Sequence, residues 1–176
     1  MEKIKHFPLI EISGGPLDRG LQYGEQAKER IATSIDIYSR SLNDLGLRKD
    51  QILELASSFI HKITDWAPDL VDEMRGIAKG ASVSLDEIML INARTEILQL
   101  AERGESFVDN HSDGCTGAII MPKLSANGEI IHGQNWDWNE ECINNTIVLR
   151  VLIDNGPNLL TFTEAGGLAR SGLNSY

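Results

Sequence analysis

The sequence lacks any apolar run of transmembrane length. Its opening, Met1-Glu2-Lys3-Ile4-Lys5-His6 into Phe7-Pro8-Leu9-Ile10-Glu11, is interrupted too soon to serve as a signal peptide. No membrane partner is expected, and the cytoplasm is the expected compartment. Basic residues are scarce: 16 Lys and Arg against 26 Asp and Glu give a net charge of −10 and a pI near 4.8. Such a surface repels polyphosphate, so nucleic acid is a poor partner. There are only two cysteines, Cys115 and Cys142, and no CxxC pair. That excludes a disulfide scaffold and suits reduced thiols. The histidines His6, His61, His111 and His132 show no ligand spacing, so no metal is indicated. Internal repeats and low-complexity tracts are absent as well.

What is present is an ordinary globular composition. The 176 residues are 41% hydrophobic and 24% charged, enough for one domain with a real core. A short strand is expected over residues 6–12, closed by Ser13-Gly14-Gly15-Pro16, with Pro16 suited to a first helical turn. Helical periodicity then runs from Leu17 to about Leu45, and again from Lys49 to Trp66. A third helix restarts at Ala67-Pro68 and is expected to stop at Gly80. Ser84-Leu85-Asp86-Glu87 has the form of a capping box and opens a fourth, reaching about Leu100.

The period changes after that. Residues 103–114 are polar and glycine-containing, which reads as a loop. Strands follow at 115–121 and 129–136, with the hairpin signal Asn127-Gly128 between them. Another pair is expected at 146–153 and 159–163, turned at Asp154-Asn155-Gly156-Pro157. Helices first and strands second indicate an α+β fold. Two hairpins cannot bury two sheet faces, and the final stretch from Gly166 reads as the approach to another strand. The expectation is the front part of a longer protein.

The informative segment for chemistry is Asp113-Gly114-Cys115-Thr116-Gly117, where a cysteine joins a polar loop to a strand. Gly114 can take backbone angles closed to other residues, which allows a strained peptide bond within reach of the Cys115 thiol. An N-to-S acyl shift followed by hydrolysis would free Cys115 as a new N-terminus. Its α-amine, with a reference pKa of about 7.7–8.0, can then act as the base for its own thiol. The plainer reading of such a cysteine is a small buried hydrophobe.

Asp113-Gly114-Cys115-Thr116, followed by Gly133-Gln134-Asn135-Trp136-Asp137-Trp138, resembles the penicillin acyltransferase family of N-terminal nucleophile hydrolases. Arg19-Gly20-Leu21-Gln22-Tyr23-Gly24, the stretch from Ala67 to Ala78, and Asn92-Ala93-Arg94-Thr95-Glu96 are similar to that family too, in the same order. The resemblance implies a four-layer αββα sandwich. Residues 1–114 would form the α part or pro-region, and residues 115–176 would begin the β part of the same catalytic domain. It further implies that Gly114–Cys115 is the self-cleaved bond and Cys115 the nucleophile. Asp137, on the second hairpin strand, would hold the freed amine by charge-assisted hydrogen bonding. Thr116 and Asn135 are candidate contacts to the substrate or to the cleavage loop, Asn135 being equally readable as a structural amide. Trp136 and Trp138 read as core and pocket wall, and Cys142 as an incidental residue of a polar turn. Oxyanion positions of the family lie beyond residue 176.

The expected reaction is attack of Cys115 on an N-acyl amide or other acyl donor, giving a thioester that water or an amine resolves. Water being always available and no coenzyme A site being marked, hydrolysis is favoured. No cofactor is implied, with acyl-CoA a conceivable co-substrate. The partners expected are a small acyl donor and the chain's own α and β parts after cleavage. Two alternatives stand beside this reading. One is a thiol enzyme pairing Cys115 with a histidine and never self-cleaving; the other is a non-enzymatic helical interaction domain.

Overall fold

The structure, a computed structural model, describes residues 6–102 and 115–175. These fall into two compact units, one of residues 6–102 with 141–175 and one of residues 115–140. The mixture of helix and sheet is that of an α+β chain.

In the larger unit, β1 (Leu9–Ser13) leads into α1 (Pro16–Asp44), α2 (Lys49–Trp66), α3 (Pro68–Ala81), α4 (Leu85–Asn92) and α5 (Arg94–Glu102). After the smaller unit, which holds β2 (Thr116–Ile120) and β3 (Ile131–Asn135), come β4 (Thr146–Leu152), β5 (Leu159–Glu164) and β6 (Ser171–Asn174). The sheet order is β1-β4-β5-β6, with β1 parallel to β4 and the other pairs antiparallel. Ile10 sits opposite Leu149, and Leu149 opposite Thr161, so one row of side chains faces the helices. Leu9, Leu160 and Leu173 remain exposed.

The expected 146–153 and 159–163 pair is the β4–β5 hairpin. The stretch after Gly166 is more than an approach to a strand, because it contains β6 itself. The first strand begins at Leu9 rather than His6, where pairing with Val148 starts.

Helix α1 follows its sequence pattern. Tyr23, Ala27, Ile31, Ser34, Tyr38 and Leu42 recur at three- and four-residue spacing and are all buried. Pro16 occupies the first turn as expected, and α2 spans the expected residues. Ser84 caps α4: its Oγ accepts from the Glu87 N–H at 3.1 Å, and its own N–H donates to Glu87 Oε2 at 2.8 Å.

Two expectations about helix ends are corrected. Helix α3 continues past Gly80 to Ala81 and closes on Ser82, which takes the left-handed conformation at φ 61°. Gly80 stays helical because it faces α1. A Cβ on Gly80 would lie 2.4 Å from the Leu21 carbonyl oxygen, and one on Gly20 would lie 2.0 Å from that of Glu73. Gly24 and Gly76 are equally close to facing backbone, so four glycines bring the two helices into direct backbone contact. Arg19 locks the same crossing, donating from Nη2 to Glu73 at 2.6 Å and from Nη1 to the Gly14 carbonyl at 2.6 Å.

The fourth helix also breaks, at Ala93, into α4 and α5. Asn92 explains the break. Its amide donates to the Ile88 and Gly166 carbonyls at 2.9 Å each and accepts from the Leu168 N–H at 3.0 Å. Tertiary bonds to the Gly166 turn thus hold the chain where a continuous helix would carry it away.

Candidate active site

The smaller unit is a two-stranded antiparallel ribbon, β2 (Thr116–Ile120) with β3 (Ile131–Asn135). A hairpin forms around Asn127-Gly128 as the sequence indicates, but not as a two-residue turn. The connection covers residues 121–130 and contains a short 3-10 turn at Pro122–Leu124. Gly128 supplies a left-handed residue at φ 74°, and Asn127 Oδ1 accepts from the Glu129 N–H at 3.3 Å.

The register places Thr116 opposite Asn135 at the open end of the ribbon. Cys115 immediately precedes β2. Asp137 lies two residues past the end of β3, not on the strand itself. The Cys115 thiol meets the Asp137 backbone carbonyl at 3.8 Å. The Thr116 N–H donates to Asn135 Oδ1 at 3.1 Å, and Asn135 Nδ2 donates to Asp137 Oδ2 at 3.0 Å. Four of the five residues singled out from the sequence are therefore joined in one small network. The fifth, Gly114, and the loop residue His111 lie outside the described residues.

Trp136 and Trp138 stack on each other, with centroids 6.4 Å apart and planes 15° from parallel. Trp138 is exposed and Trp136 half-buried, so neither is a core residue.

A second polar cluster, in the larger unit, was not legible in the sequence. Cys142, expected in a polar turn, lies in a 3-10 helix (Glu140–Asn144) and is only 3% exposed. Arg94 of α5 pairs with Glu164 at the end of β5, Nη2 to Oε2 at 2.5 Å, and both side chains are buried. Arg94 Nε donates to the Tyr38 hydroxyl at 2.7 Å, and that hydroxyl donates to Glu164. The Cys142 thiol donates to the same carboxylate at 3.4 Å. Burial, reinforced by the negative charge of Glu164, pushes the Cys142 thiol up to about 12. The same two causes raise the Tyr38 hydroxyl. Both groups are held protonated at neutral pH, and a thiol so held is a poor nucleophile. In the sequence Arg94 stands out only as part of the family-like stretch Asn92-Ala93-Arg94-Thr95-Glu96. No rule of composition or period marks a cation for burial.

Among the described residues, no group of three or more His, Cys, Asp or Glu side chains is placed to hold a metal ion. None of their helices is long and apolar enough to cross a membrane. A shallow groove lined by Ile35, Asp36, Ile52, Leu53, Val83 and Glu87 lies among the helices and includes neither cysteine.

No family model matches the chain. It is similar to the acyl-coenzyme A:6-aminopenicillanic-acid-acyltransferase 40 kDa form of Emericella nidulans, with 30% identity over 169 residues, 94% of this chain and 44% of that protein. It is also similar to an uncharacterized protein of Archaeoglobus fulgidus, with 22% identity over 156 residues, 80% of this chain and 26% of that one. The chain therefore spans less than half the length of either relative. The similarity to the acyltransferase extends over most of this chain.

Proposed function

We propose that this chain is part of a penicillin acyltransferase-type enzyme, a self-processing N-terminal cysteine acyltransferase or amidohydrolase with an αββα core. The observation that carries the reading is the network at the ribbon mouth. It gathers Cys115, Thr116, Asn135 and Asp137 from two strand ends separated by the hairpin. The similarity to an acyltransferase over 94% of the chain supports it independently.

Processing comes first. The Cys115 thiol adds to the Gly114 carbonyl carbon, the Gly114–Cys115 amide bond breaks, and the departing nitrogen takes up the proton lost by the thiol to become the Cys115 α-amine. The thioester so formed is hydrolysed, leaving a Gly114 carboxylate and a free thiol. In turnover, the α-amine takes the thiol proton, and the sulfur attacks the acyl carbonyl of an N-acyl amide or an acyl-CoA. The leaving group departs with a proton, and the acyl group stays on Cys115 as a thioester. Water or an acceptor amine then releases it. Hydrolysis and transfer share this intermediate, so one site serves both. The carboxylate of Asp137 holds the Cys115 nitrogen beside the thiol by charge-assisted hydrogen bonding, first as it departs from Gly114 during processing and then as the free α-amine in turnover.

Intact mass and N-terminal sequencing of freshly expressed full-length protein test this reading. The expected result is two fragments, the second beginning Cys115-Thr116-Gly117, and a single uncut chain for Cys115→Ala. Normal cleavage in Cys115→Ala would remove the assignment.

A further inference from the structure

The side chain of Asn135 bonds to both strand ends at the ribbon mouth. Its orientation is fixed by chemistry. The Thr116 N–H can only donate, so the amide oxygen must face it, and the amide nitrogen is then turned toward Asp137. The 3.1 Å and 3.0 Å contacts match that single arrangement. One end of the amide thus anchors the residue adjoining Cys115, and the other donates to the carboxylate oxygen Oδ2 of Asp137.

From this geometry we infer that Asn135 is a positioning residue. It sets the Asp137 carboxylate in register with the Cys115 end of β2, and it does so without touching substrate. The inference rests on the proposed roles of Cys115 and Asp137 and adds what keeps them aligned. Asn135 is exposed. Exposed hydrogen bonds of this kind add little to stability, so the effect of Asn135 falls on alignment. Misplacement of a reacting group by about 1 Å can cost on the order of 100-fold in rate. Among the described residues, Asp137 is the titratable group hydrogen-bonded to Asn135, and the Cys115 thiol meets the Asp137 carbonyl.

Two variants separate alignment from scaffolding, with cleavage of the chain's own Gly114–Cys115 bond as the readout. Asn135→Ala removes both bonds. Asn135→Asp keeps an acceptor for the Thr116 N–H but turns a second carboxylate toward Asp137. Two carboxylates that close cannot both ionise, and one shared proton restores an O–H···O link. Full-length precursor from brief cell-free synthesis is diluted into buffers from about pH 5 to about pH 8, a range in which such a pair titrates. Fragment appearance is followed by intact mass.

The expected result is cleavage slowed roughly 10- to 100-fold in Asn135→Ala at every pH, with an unchanged melting temperature. Asn135→Asp should be slowed at neutral pH and recover relative to wild type as pH falls. Wild-type rates in both variants, while Cys115→Ala stays uncut, would overturn the role of Asn135 and leave the nucleophile in place. A pH-independent loss in Asn135→Asp, matched by a lower melting temperature, would make Asn135 a scaffold residue only. A wild-type chain that is never cut would remove both readings together.

Discussion

Replacing Gly24 by alanine tests the backbone contact between α1 and α3. On propensity alone the change should help, since alanine gains about 1 kcal/mol over glycine inside a helix. The structure opposes it. A Cβ at position 24 would lie 2.3 Å from the Ile77 carbonyl oxygen and 2.7 Å from the Ala81 nitrogen. Both are backbone atoms of α3 and cannot rotate away, so α1 and α3 must separate by roughly 1 Å, enough to forfeit a quarter to a half of each nearby dispersion well. Overpacking of this kind costs about 1–3 kcal/mol, and rigid partners put Gly24 at the upper end. After subtracting the propensity gain, the net destabilisation is about 2 kcal/mol, or about 4–8 °C in melting temperature for a chain of this size. Urea unfolding followed by circular dichroism, with a thermal melt beside it, measures both quantities. The double variant Gly20→Ala/Gly24→Ala should cost less than the sum of the singles, because one separation relieves both contacts. A Gly24→Ala protein as stable as wild type, or more so, would show that the helices do not cross at backbone contact.

Two further predictions concern the buried cluster. Arg94→Met strands the Glu164 carboxylate without its cation and should cost about 3–5 kcal/mol in chemical denaturation, whereas a loss under about 1 kcal/mol would mean the pair is not buried as described. Cys142 predicts an alkaline weakness. Its folded thiol is pushed up to about 12 while the unfolded thiol titrates near about 8.5. The folded state therefore holds the proton more tightly, and its stabilisation is complete below about pH 8.5 and declines as pH rises toward 12, by up to about 1.4 kcal/mol per pH unit. Denaturation curves between about pH 8.5 and 10, before tyrosine ionisation intrudes, should fall more steeply for wild type than for Cys142→Ala, and parallel curves would refute the assignment.

The helical pattern was legible because periodicity reports burial of one face. Helix α2 and the capping box at Ser84 carry their boundaries in local chemistry. The misread ends were those that distant residues decide. Gly80 resembles a helix terminator, yet α3 runs through it because Leu21 of α1 needs the space. Ala93 has no breaking tendency of its own, and the break there is held by Asn92 bonding to residues 166 and 168. The family-like stretches Arg19–Gly24 and Ala67–Ala78 read in the sequence as parts of two helices, with nothing local to pair them. They are the two sides of one glycine-lined crossing, tied by Arg19 and Glu73. At the candidate site, a hairpin turned near Gly128 already implied that Cys115 and the residues near 135–137 approach each other. What it did not reveal was the bridging amide of Asn135, because the direction of a side-chain hydrogen bond depends on register to a single residue.

The two cysteines show how surroundings rather than residue type assign chemistry. Cys142 sits between a tyrosine hydroxyl and a glutamate inside the core, and its proton is retained because a thiolate would face Glu164 across 3.4 Å with little solvent to screen it. That same proton completes the bonding of Glu164, which accepts from Arg94, Tyr38 and Cys142 together. A reactive sulfur at this point would leave a buried carboxylate beside a buried anion, which the fold could not carry at neutral pH. Cys115 is placed differently. It lies at a strand end, partly exposed, against a neutral carbonyl, with a carboxylate-bearing residue bonded through Asn135 to its neighbour. If the chain does thiol chemistry, the core binds one sulfur to a structural task and leaves Cys115 to do it.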